Sequence, residues 1–336
     1  MKVVLDAMGG DHAPQVNIEG AVETVQESDD IEIILVGDET AIRKELKGKK
    51  HRTDRISIVH ASQVVEMHES PTVAIRKKRD SSIRVGVNLV KAGKADAFVS
   101  AGHSGVVMGT SLLLLGMSKG VDRPAIATLM PTLKDTFILL DVGANVDCKP
   151  ENLQQFALMG NIYCKLVLGR EKPKVGLLSI GEEDVKGNEL TKEAFKLIRQ
   201  SSINFIGNIE GKDIFTGTAD VVVCDGFTGN IALKISEGLA EVILKMLKRE
   251  ISNVTAGRIG YLMLKPAIRN FKKRTDYDEY GGAPLLGING TSIISHGRSS
   301  AKAIRNALRV ADNFARKRVY EAISEAIQSD LTTRVA

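Results

Sequence analysis

One unit recurs along this chain: a short apolar run, a polar turn containing glycine, and a helical segment. Five turns of this kind span residues 6–12, 100–105, 141–145, 181–188 and 224–230. A strand that passes into a helix through such a turn is the repeating unit of a parallel sheet, whose carboxyl edge binds ligands. We therefore expect the five turns to lie together at one edge. Their backbone N–H groups would bind a small, multiply charged anion such as phosphate.

The same alternation extends over the whole chain and predicts the fold class. Strands are predicted at 2–6, 32–37, 56–60, 97–100, 126–130, 137–141, 175–180, 204–207 and 220–224. Helices are predicted at 16–27, 41–46, 71–79, 82–92, 106–117, 150–168, 189–200 and 231–250, with one long closing helix at 299–327. This pattern favours a three-layer α/β fold with a mainly parallel sheet. We expect residues 1–336 to form one catalytic unit whose two lobes share the sheet system.

Composition limits the class of protein. Hydrophobic residues make up 43% and charged residues 26%, as in ordinary globular proteins, and no apolar run approaches the ~20 residues of a membrane span. The acid Asp6 comes too early in the sequence for a signal peptide. The three cysteines, Cys148, Cys164 and Cys224, are expected to be buried free thiols. A cytoplasmic protein is expected. No Cys/His spacing resembles a metal site, so neither a metal nor a cofactor is predicted.

The positive charge is concentrated in one segment. Residues 245–274 contain nine bases and one acid, a net charge of +8, although the whole chain carries only +5. Apolar residues are interspersed, and a basic amphipathic hairpin of this kind fits an anionic membrane surface. The predicted membrane contacts are Ile259, Tyr261, Leu262, Leu264 and Lys265. A core-facing helix and an oligomer contact remain as alternatives. The basic charge is local and predicts no nucleic-acid partner.

Three acids end predicted strands: Asp6, Asp141 and Asp225. Each is also a good helix cap, because a carboxylate accepts backbone N–H bonds there. Together with their glycines, however, they suggest a shared active edge. Lys186 is a lone base in an acidic turn, either solvated or placed to neutralise an anion or a developing oxyanion.

Common catalytic motifs are absent. Ser104 does not complete the G-x-S-x-G motif of hydrolases, and neither the dinucleotide fingerprint nor the Walker-type phosphate loop occurs. The predicted catalytic residues are Lys186, Asp225 and Asn230. The predicted substrate- and phosphate-binding residues lie in the five turns: Asp6, Gly9, Gly10, Asp11, His12, Gly102, His103, Ser104, Gly105, Asp141, Asn145, Asn188, Gly226 and Gly229.

Several of these motifs resemble the phosphate acyltransferases of bacterial phospholipid synthesis, and the resemblance covers nearly the whole chain. It rests on residues 5–14 (LDAMGGDHAP), 140–145 (LDVGAN), 186–189 (KGNE), 225–230 (DGFTGN) and 280–283 (YGGA). One departure stands out: His103-Ser104 occupies the place where the family pattern usually has Asn-Thr. This argues against an obligatory acid–base role for His103.

The resemblance implies a fold similar to isocitrate and isopropylmalate dehydrogenases. It implies transfer of a long-chain acyl group from acyl carrier protein to orthophosphate, giving acyl phosphate for phosphatidic acid synthesis. It also implies a homodimer, peripheral association with the inner face of the cell membrane, and a downstream glycerol-3-phosphate acyltransferase as a partner. The alternatives are a phosphotransacetylase-like enzyme that uses acyl-coenzyme A, a dehydrogenase of related fold, and a membrane-binding scaffold without activity.

Overall fold

The computed structural model describes residues 1–50, 52, 54–253, 260, 263–269, 271 and 277–335. The strands are β1 (Lys2–Asp6), β2 (Glu32–Gly37), β3 (Ile56–His60), β4 (Ala97–Ser100), β5 (Ala125–Pro131), β6 (Thr136–Leu140), β7 (Val175–Leu178), β8 (Phe205–Ile209), β9 (Val221–Val223), β10 (Ala283–Leu286) and β11 (Thr291–Ile294).

Helices alternate with these strands. They are α1 (Gln15–Glu27), α2 (Glu39–Leu46), α3 (Pro71–Lys77), α4 (Ser82–Lys91), α5 (Ser104–Leu115), α6 (Pro150–Leu168), α7 (Glu189–Arg199), α8 (Gly226–Asn253), α9 (Ala301–Arg316) and α10 (Val319–Val335). Residues 263–269 are also helical. The predicted α/β class is therefore confirmed, and most elements begin and end within a few residues of their predicted positions.

Within the described residues, the strands form one mixed sheet in the order β3-β2-β1-β4-β11-β10-β5-β6-β9-β7-β8. The first five strands are parallel to each other, and so are β6, β9, β7 and β8. Between these halves, β11–β10, β10–β5 and β5–β6 are antiparallel pairs. Strands β1 and β4 are buried over nearly their whole length, because helices cover both faces of the sheet.

The expectation that all five turns share one edge is wrong. Three successive reversals in the middle of the sheet make β6, β9 and β7 run opposite to β1 and β4. The turns after β1 and β4 therefore lie at one end of the strands, and those after β6, β7 and β9 at the other. An apolar run reveals a buried strand but not its direction, so the sequence could not separate these two groups.

The predicted closing helix at 299–327 is also wrong, because it is two helices. Arg318 adopts a left-handed backbone conformation (φ 49°) between α9 and α10. Buried residues of α9 such as Ala307 pack on the first half of the sheet, whereas Ile323 and Ile327 of α10 join the core around α6. The break lets the chain cross from one half of the sheet to the other.

The basic segment is described only in part. Helix α8 includes residues 245–253, and residues 263–269 form a separate helical stretch in which Met263 is 78% and Leu264 50% exposed. Ile259, Tyr261 and Leu262 lie outside the described residues. The hairpin and its membrane contacts therefore stay predictions. In the described part of the chain, no helix is both long and apolar enough to cross a membrane.

Candidate active site

The turns after β1 and β4 are joined by a buried chain of hydrogen bonds. The Ser100 hydroxyl donates to Asp6 Oδ2 at 2.7 Å and accepts from the Gly102 N–H at 3.0 Å. Burial raises the pKa of the Asp6 carboxyl, against opposing hydrogen bonds from Ser82 and Ser100. Asp6 thus holds the two turns together through buried hydrogen bonds.

Glycine allows these turns to meet. A Cβ on Gly9 would lie 2.5 Å from Asp6 Oδ2 and 2.6 Å from the Gly102 nitrogen, so any side chain there would force the turns apart. Gly10 has a positive φ of 105° and packs between Ala101 and Gly297. The two turns therefore approach as closely as backbones allow.

A third loop, residues 295–300 after β11, completes this group. The Asp11 N–H donates to the Gly297 carbonyl at 2.7 Å, and the Ser295 N–H donates to the Ser100 carbonyl at 2.9 Å. We call residues 6–12, 100–105 and 295–300 the first cluster. Its surface carries the exposed residues Asp11, His12, Ser104, His296 and Arg298.

His103 lies where α5 begins, in the first cluster. Its carbonyl accepts the first N–H bonds of the helix, but its side chain does not cap it. The Nδ1 atom is buried without a hydrogen-bond partner among the described residues. The predicted group Gly102–Gly105 therefore does present the start of a helix beside the β1 turn, as an anion site requires.

The second cluster consists of residues 141–145, 180–188 and 224–230, at the ends of β6, β7 and β9. Asp141 lies at its centre, fully buried. Its carboxylate accepts N–H bonds from Ile126, Gly143, Ala144 and Asn145, and one more from the Asn145 side-chain amide, at 2.8–3.2 Å. Burial raises the pKa of the Asp141 carboxyl, opposed by these hydrogen bonds. All its acceptor capacity is used within the protein, so Asp141 shapes the turn.

Asp225 caps helix α8. Its two carboxylate oxygens accept from the Thr228 N–H and the Thr228 hydroxyl, both at 2.8 Å. Asn230, one turn along the helix, donates from its side-chain amide to the Val142 carbonyl at 3.0 Å. These contacts fix the start of α8 against the β6 turn.

Two glycines let α8 approach that turn. A Cβ on Gly226 would lie 2.6 Å from the Asn145 carbonyl oxygen, and one on Gly229 would lie 1.8 Å from the Asp141 carbonyl oxygen. The Gly226 N–H donates to the Asn145 carbonyl at 2.7 Å. Gly226 and Gly229 therefore serve close backbone packing.

Lys186 is held by its backbone and exposed at its charged end. Its N–H donates to the Glu183 carbonyl at 2.9 Å, and its carbonyl accepts from the Ser179 hydroxyl at 3.3 Å. The neighbouring acid Asp184 pairs with Arg199 at 2.8 Å instead. Within the described part of the chain, the Lys186 ammonium makes no ion pair, so its charge is available to a substrate anion.

Asn188 begins α7 by accepting the Thr191 N–H at 2.9 Å, which is a capping role. Cys224 is buried, and burial raises the pKa of its thiol well above the ordinary value. Partial burial likewise raises the pKa of Cys148 to about 11. Thiols held in this protonated form are poor nucleophiles. In the described ranges, no group of three His, Cys, Asp or Glu side chains is placed to hold a metal ion.

Helix α8 begins in the second cluster and comes within electrostatic range of Arg298 in the first. It begins at Gly226 in the second cluster, and Glu241 lies fifteen residues farther along it. The pKa of Glu241 is lowered mainly by its hydrogen bond from Lys245, with a further contribution from the charge of Arg298 in the first cluster. At 1.5 Å per residue, the helix covers roughly 22 Å from Gly226 to this point.

Residues 1–322 match the family described as "Fatty acid synthesis protein". A phosphate acyltransferase from Thermodesulfovibrio yellowstonii is 61% identical over 97% of this chain and 94% of its own length. One from Geobacter sulfurreducens is 52% identical over 99% and 96%, respectively.

The chain belongs to the phosphate acyltransferase family. The resemblance inferred from the sequence motifs is thereby confirmed. Among solved structures, a phosphotransacetylase from Streptococcus pyogenes is similar with a TM-score of 0.62 at 19% identity, covering 94% of both chains. A 4-hydroxythreonine-4-phosphate dehydrogenase from Klebsiella pneumoniae is similar with a TM-score of 0.54 at 13% identity, covering 94% of this chain and 99% of its own. These likenesses support the dehydrogenase-like fold.

The predicted site residues therefore divide into two clusters. Those of the first are Asp6, Gly9, Gly10, Asp11, His12, Gly102, His103, Ser104 and Gly105. Those of the second are Asp141, Asn145, Lys186, Asn188, Asp225, Gly226, Gly229 and Asn230. Their roles in binding and catalysis stay predictions. Sequence reasoning overlooked Arg298, although Gly297-Arg298-Ser299 follows a strand and precedes a helix like the other turns.

The substitution Asp225→Asn separates the helix-capping role of Asp225 from a role of its charge in catalysis. Asp225→Asn keeps an oxygen that caps α8, so we expect the melting temperature to change little. Loss of the carboxylate charge is expected to reduce turnover about tenfold or more. A tenfold reduction corresponds to about 1.4 kcal/mol of transition-state stabilisation. Asp225→Ala should lose activity and about 1 kcal/mol of stability from the missing cap. Turnover and thermal unfolding measure these effects.

The control is Asp38→Asn, since Asp38 caps α2 by accepting from the Ala41 N–H at 2.9 Å and lies in the half of the sheet that does not contain Asp225. It should leave turnover unchanged. Wild-type turnover in Asp225→Asn would assign Asp225 to capping alone.

Proposed function

We propose that this chain transfers an acyl group from the thioester of acyl carrier protein to orthophosphate. A phosphate oxygen attacks the thioester carbonyl carbon, the carbon–sulfur bond breaks, and the sulfur leaves with the bonding electrons and takes up a proton. The products are acyl phosphate and free carrier protein, and the acyl phosphate serves phospholipid synthesis. The observation that carries this proposal is membership of the phosphate acyltransferase family along nearly the full chain.

The chemistry asks for positioning and charge more than for a strong base. A substantial fraction of orthophosphate is the dianion near neutral pH, and a thiol with a pKa of about 8.5 departs readily. The enzyme must bring the two reactants together and stabilise the oxyanion that forms at the carbonyl. In the second cluster, the unpaired ammonium of Lys186 supplies a positive charge. Asp225 and Asn230 hold the first turn of α8 in place after β9, the strand that pairs with the strand β7 preceding Lys186.

The direct test is phosphate-dependent thiol release from a purified acyl carrier protein thioester. We expect free thiol and acyl phosphate to appear in equal amounts, and both to depend on added orthophosphate. Equal thiol release without phosphate would identify a thioesterase. Preference for acyl-coenzyme A over the carrier protein would favour the phosphotransacetylase-like alternative, which the fold of the solved relatives allows. No turnover on either would leave the scaffold alternative.

We also propose a homodimer, formed through α8. One face of this helix carries an apolar stripe with residues three or four positions apart, each between 42% and 62% exposed: Phe227, Ile231, Ile235, Leu239, Val242 and Met246. Such a stripe is the pattern by which two helices pack, and a second copy would cover it. Light scattering should give twice the chain mass of 36.3 kDa, and the chain mass itself would contradict this proposal.

The basic segment 245–274 is proposed to bind the inner face of the cell membrane, where the acyl phosphate would meet a glycerol-3-phosphate acyltransferase. Its bases would attract anionic lipid at about 1 kcal/mol each, and its apolar residues would insert. Met263→Glu with Leu264→Glu is therefore expected to abolish co-sedimentation with anionic liposomes and to leave turnover of soluble substrate unchanged. The pair Lys234→Gln and Lys192→Gln, outside the segment, makes the same change of −2 in net charge and provides a charge control. Normal liposome binding by the Met263/Leu264 variant would contradict the proposal.

A further inference from the structure

The first cluster contains one permanent positive charge. In residues 6–12, 100–105 and 295–300, the acids are Asp6 and Asp11, and Arg298 is the single Lys or Arg side chain. Arg298 is exposed, and no hydrogen bond or ion pair of its guanidinium occurs within the described residues. Glu241 of α8 lies within electrostatic range, because the charge of Arg298 helps to lower its pKa. Within the described residues, the guanidinium therefore has an acid in its vicinity but no hydrogen-bonded partner.

The position of Arg298 is built into the cluster. The Arg298 N–H donates to His296 Nδ1 at 3.1 Å, and the Ser299 N–H donates to the His296 carbonyl at 2.9 Å. One residue earlier, Gly297 accepts the Asp11 N–H and packs against Gly10. The backbone that carries Arg298 is thus fixed to the β1 turn, which in turn contacts the β4 turn.

The surroundings offer an anion further donors, alongside the carboxylates of Asp11 and Glu241. Helix α5 begins in the β4 turn, and its first N–H groups carry the positive end of a helix dipole. Buried His103 Nδ1 lies there without a partner among the described residues, and a buried polar atom of this kind is expected to have one. A guanidinium binds phosphate oxygens in pairs and keeps its charge at every physiological pH.

We propose that Arg298 binds a phosphoryl group of a substrate at the first cluster. This inference rests on the proposed acyl transfer. The phosphoryl group has two possible sources in that reaction. One is orthophosphate itself, in which case the thioester carbonyl must also lie at the first cluster; the other is the phosphodiester of the long pantetheine arm, whose acyl thioester end lies away from the phosphate. The shared chemistry is a phosphate oxyanion held by a guanidinium.

The experiment compares wild type, Arg298→Ala and Arg298→Lys, with Lys192→Ala as an exposed-base control. Steady-state kinetics are measured for orthophosphate, for acyl-4′-phosphopantetheine and for acyl-pantetheine, which lacks the phosphate. If the subsite holds orthophosphate, Arg298→Ala raises the KM for orthophosphate about tenfold or more, with partial recovery in Arg298→Lys. If it holds the arm, wild type prefers acyl-4′-phosphopantetheine to acyl-pantetheine about tenfold or more, and Arg298→Ala loses that preference.

A binding measurement separates this inference from the proposed function. Orthophosphate and 4′-phosphopantetheine are each titrated while the melting temperature is followed, because a ligand that binds the folded state raises it. A weaker response in Arg298→Ala than in Lys192→Ala supports the subsite even if no turnover occurs. Turnover by wild type together with unchanged KM values, unchanged substrate preference and unchanged thermal response in a folded Arg298→Ala would overturn it.

Discussion

Replacing Gly229 by alanine is expected to destabilise the protein by about 3 kcal/mol and to abolish turnover. The added Cβ would lie 1.8 Å from the Asp141 carbonyl oxygen and 2.8 Å from Cys224 Sγ. A backbone oxygen cannot rotate away as a flexible side chain does, so the start of α8 must move. That movement would break the contact from Asn230 to the Val142 carbonyl and displace Asp225. Thermal unfolding and steady-state turnover measure the two effects.

The same helix offers a matched control. Gly238 is also in α8, and within a single copy of the chain a Cβ there would meet nothing within 4 Å. Alanine is the better helix former, so Gly238→Ala is expected to raise stability by roughly 0.5–1 kcal/mol. Turnover should stay at the wild-type level. A Gly229→Ala protein with wild-type melting temperature and activity would show that the close packing of α8 on the β6 turn is not required.

The second large effect is expected at Lys186. Lys186→Ala removes a charge that no described acid neutralises, and its exposed ammonium contributes little to folding. We expect kcat to fall at least about tenfold, which corresponds to about 1.4 kcal/mol of transition-state stabilisation, with little change in the melting temperature. Lys186→Arg should recover only part of the rate, because a guanidinium places its donors differently from an ammonium.

Lys192→Ala is the matched control, since Lys192 is an exposed base of the adjacent helix α7. Its turnover should equal that of wild type. If Lys186→Ala also turned over at the wild-type rate, Lys186 would be an ordinary solvated lysine. The effect at Lys186 should also be separable from that at Arg298, because Lys186 belongs to the second cluster and Arg298 to the first.

The sequence by itself determined the α/β class, most strand and helix positions, and the family. Apolar runs such as residues 2–6 are buried wherever they lie in the sheet, so their pattern identifies strands directly. Glycine turns are equally local, because the backbone at Gly10 needs a positive φ whatever surrounds it. Motifs such as residues 5–14, which revealed the resemblance to the phosphate acyltransferases, are also recognised from local sequence alone.

The tertiary structure alone decided how these turns meet. Strand direction depends on pairing with partners far along the chain, and the antiparallel strands β10 and β5 divided five expected neighbours into two clusters. Pairing also brought the β11 loop, with Arg298, beside a turn almost three hundred residues earlier. The tertiary structure also showed that the carboxylate of Asp141 accepts all its hydrogen bonds from within the protein. One of the donors is the N–H of Ile126, on another strand. Local patterns specify elements, but long-range hydrogen bonding and packing decide which side chains are left to face a substrate.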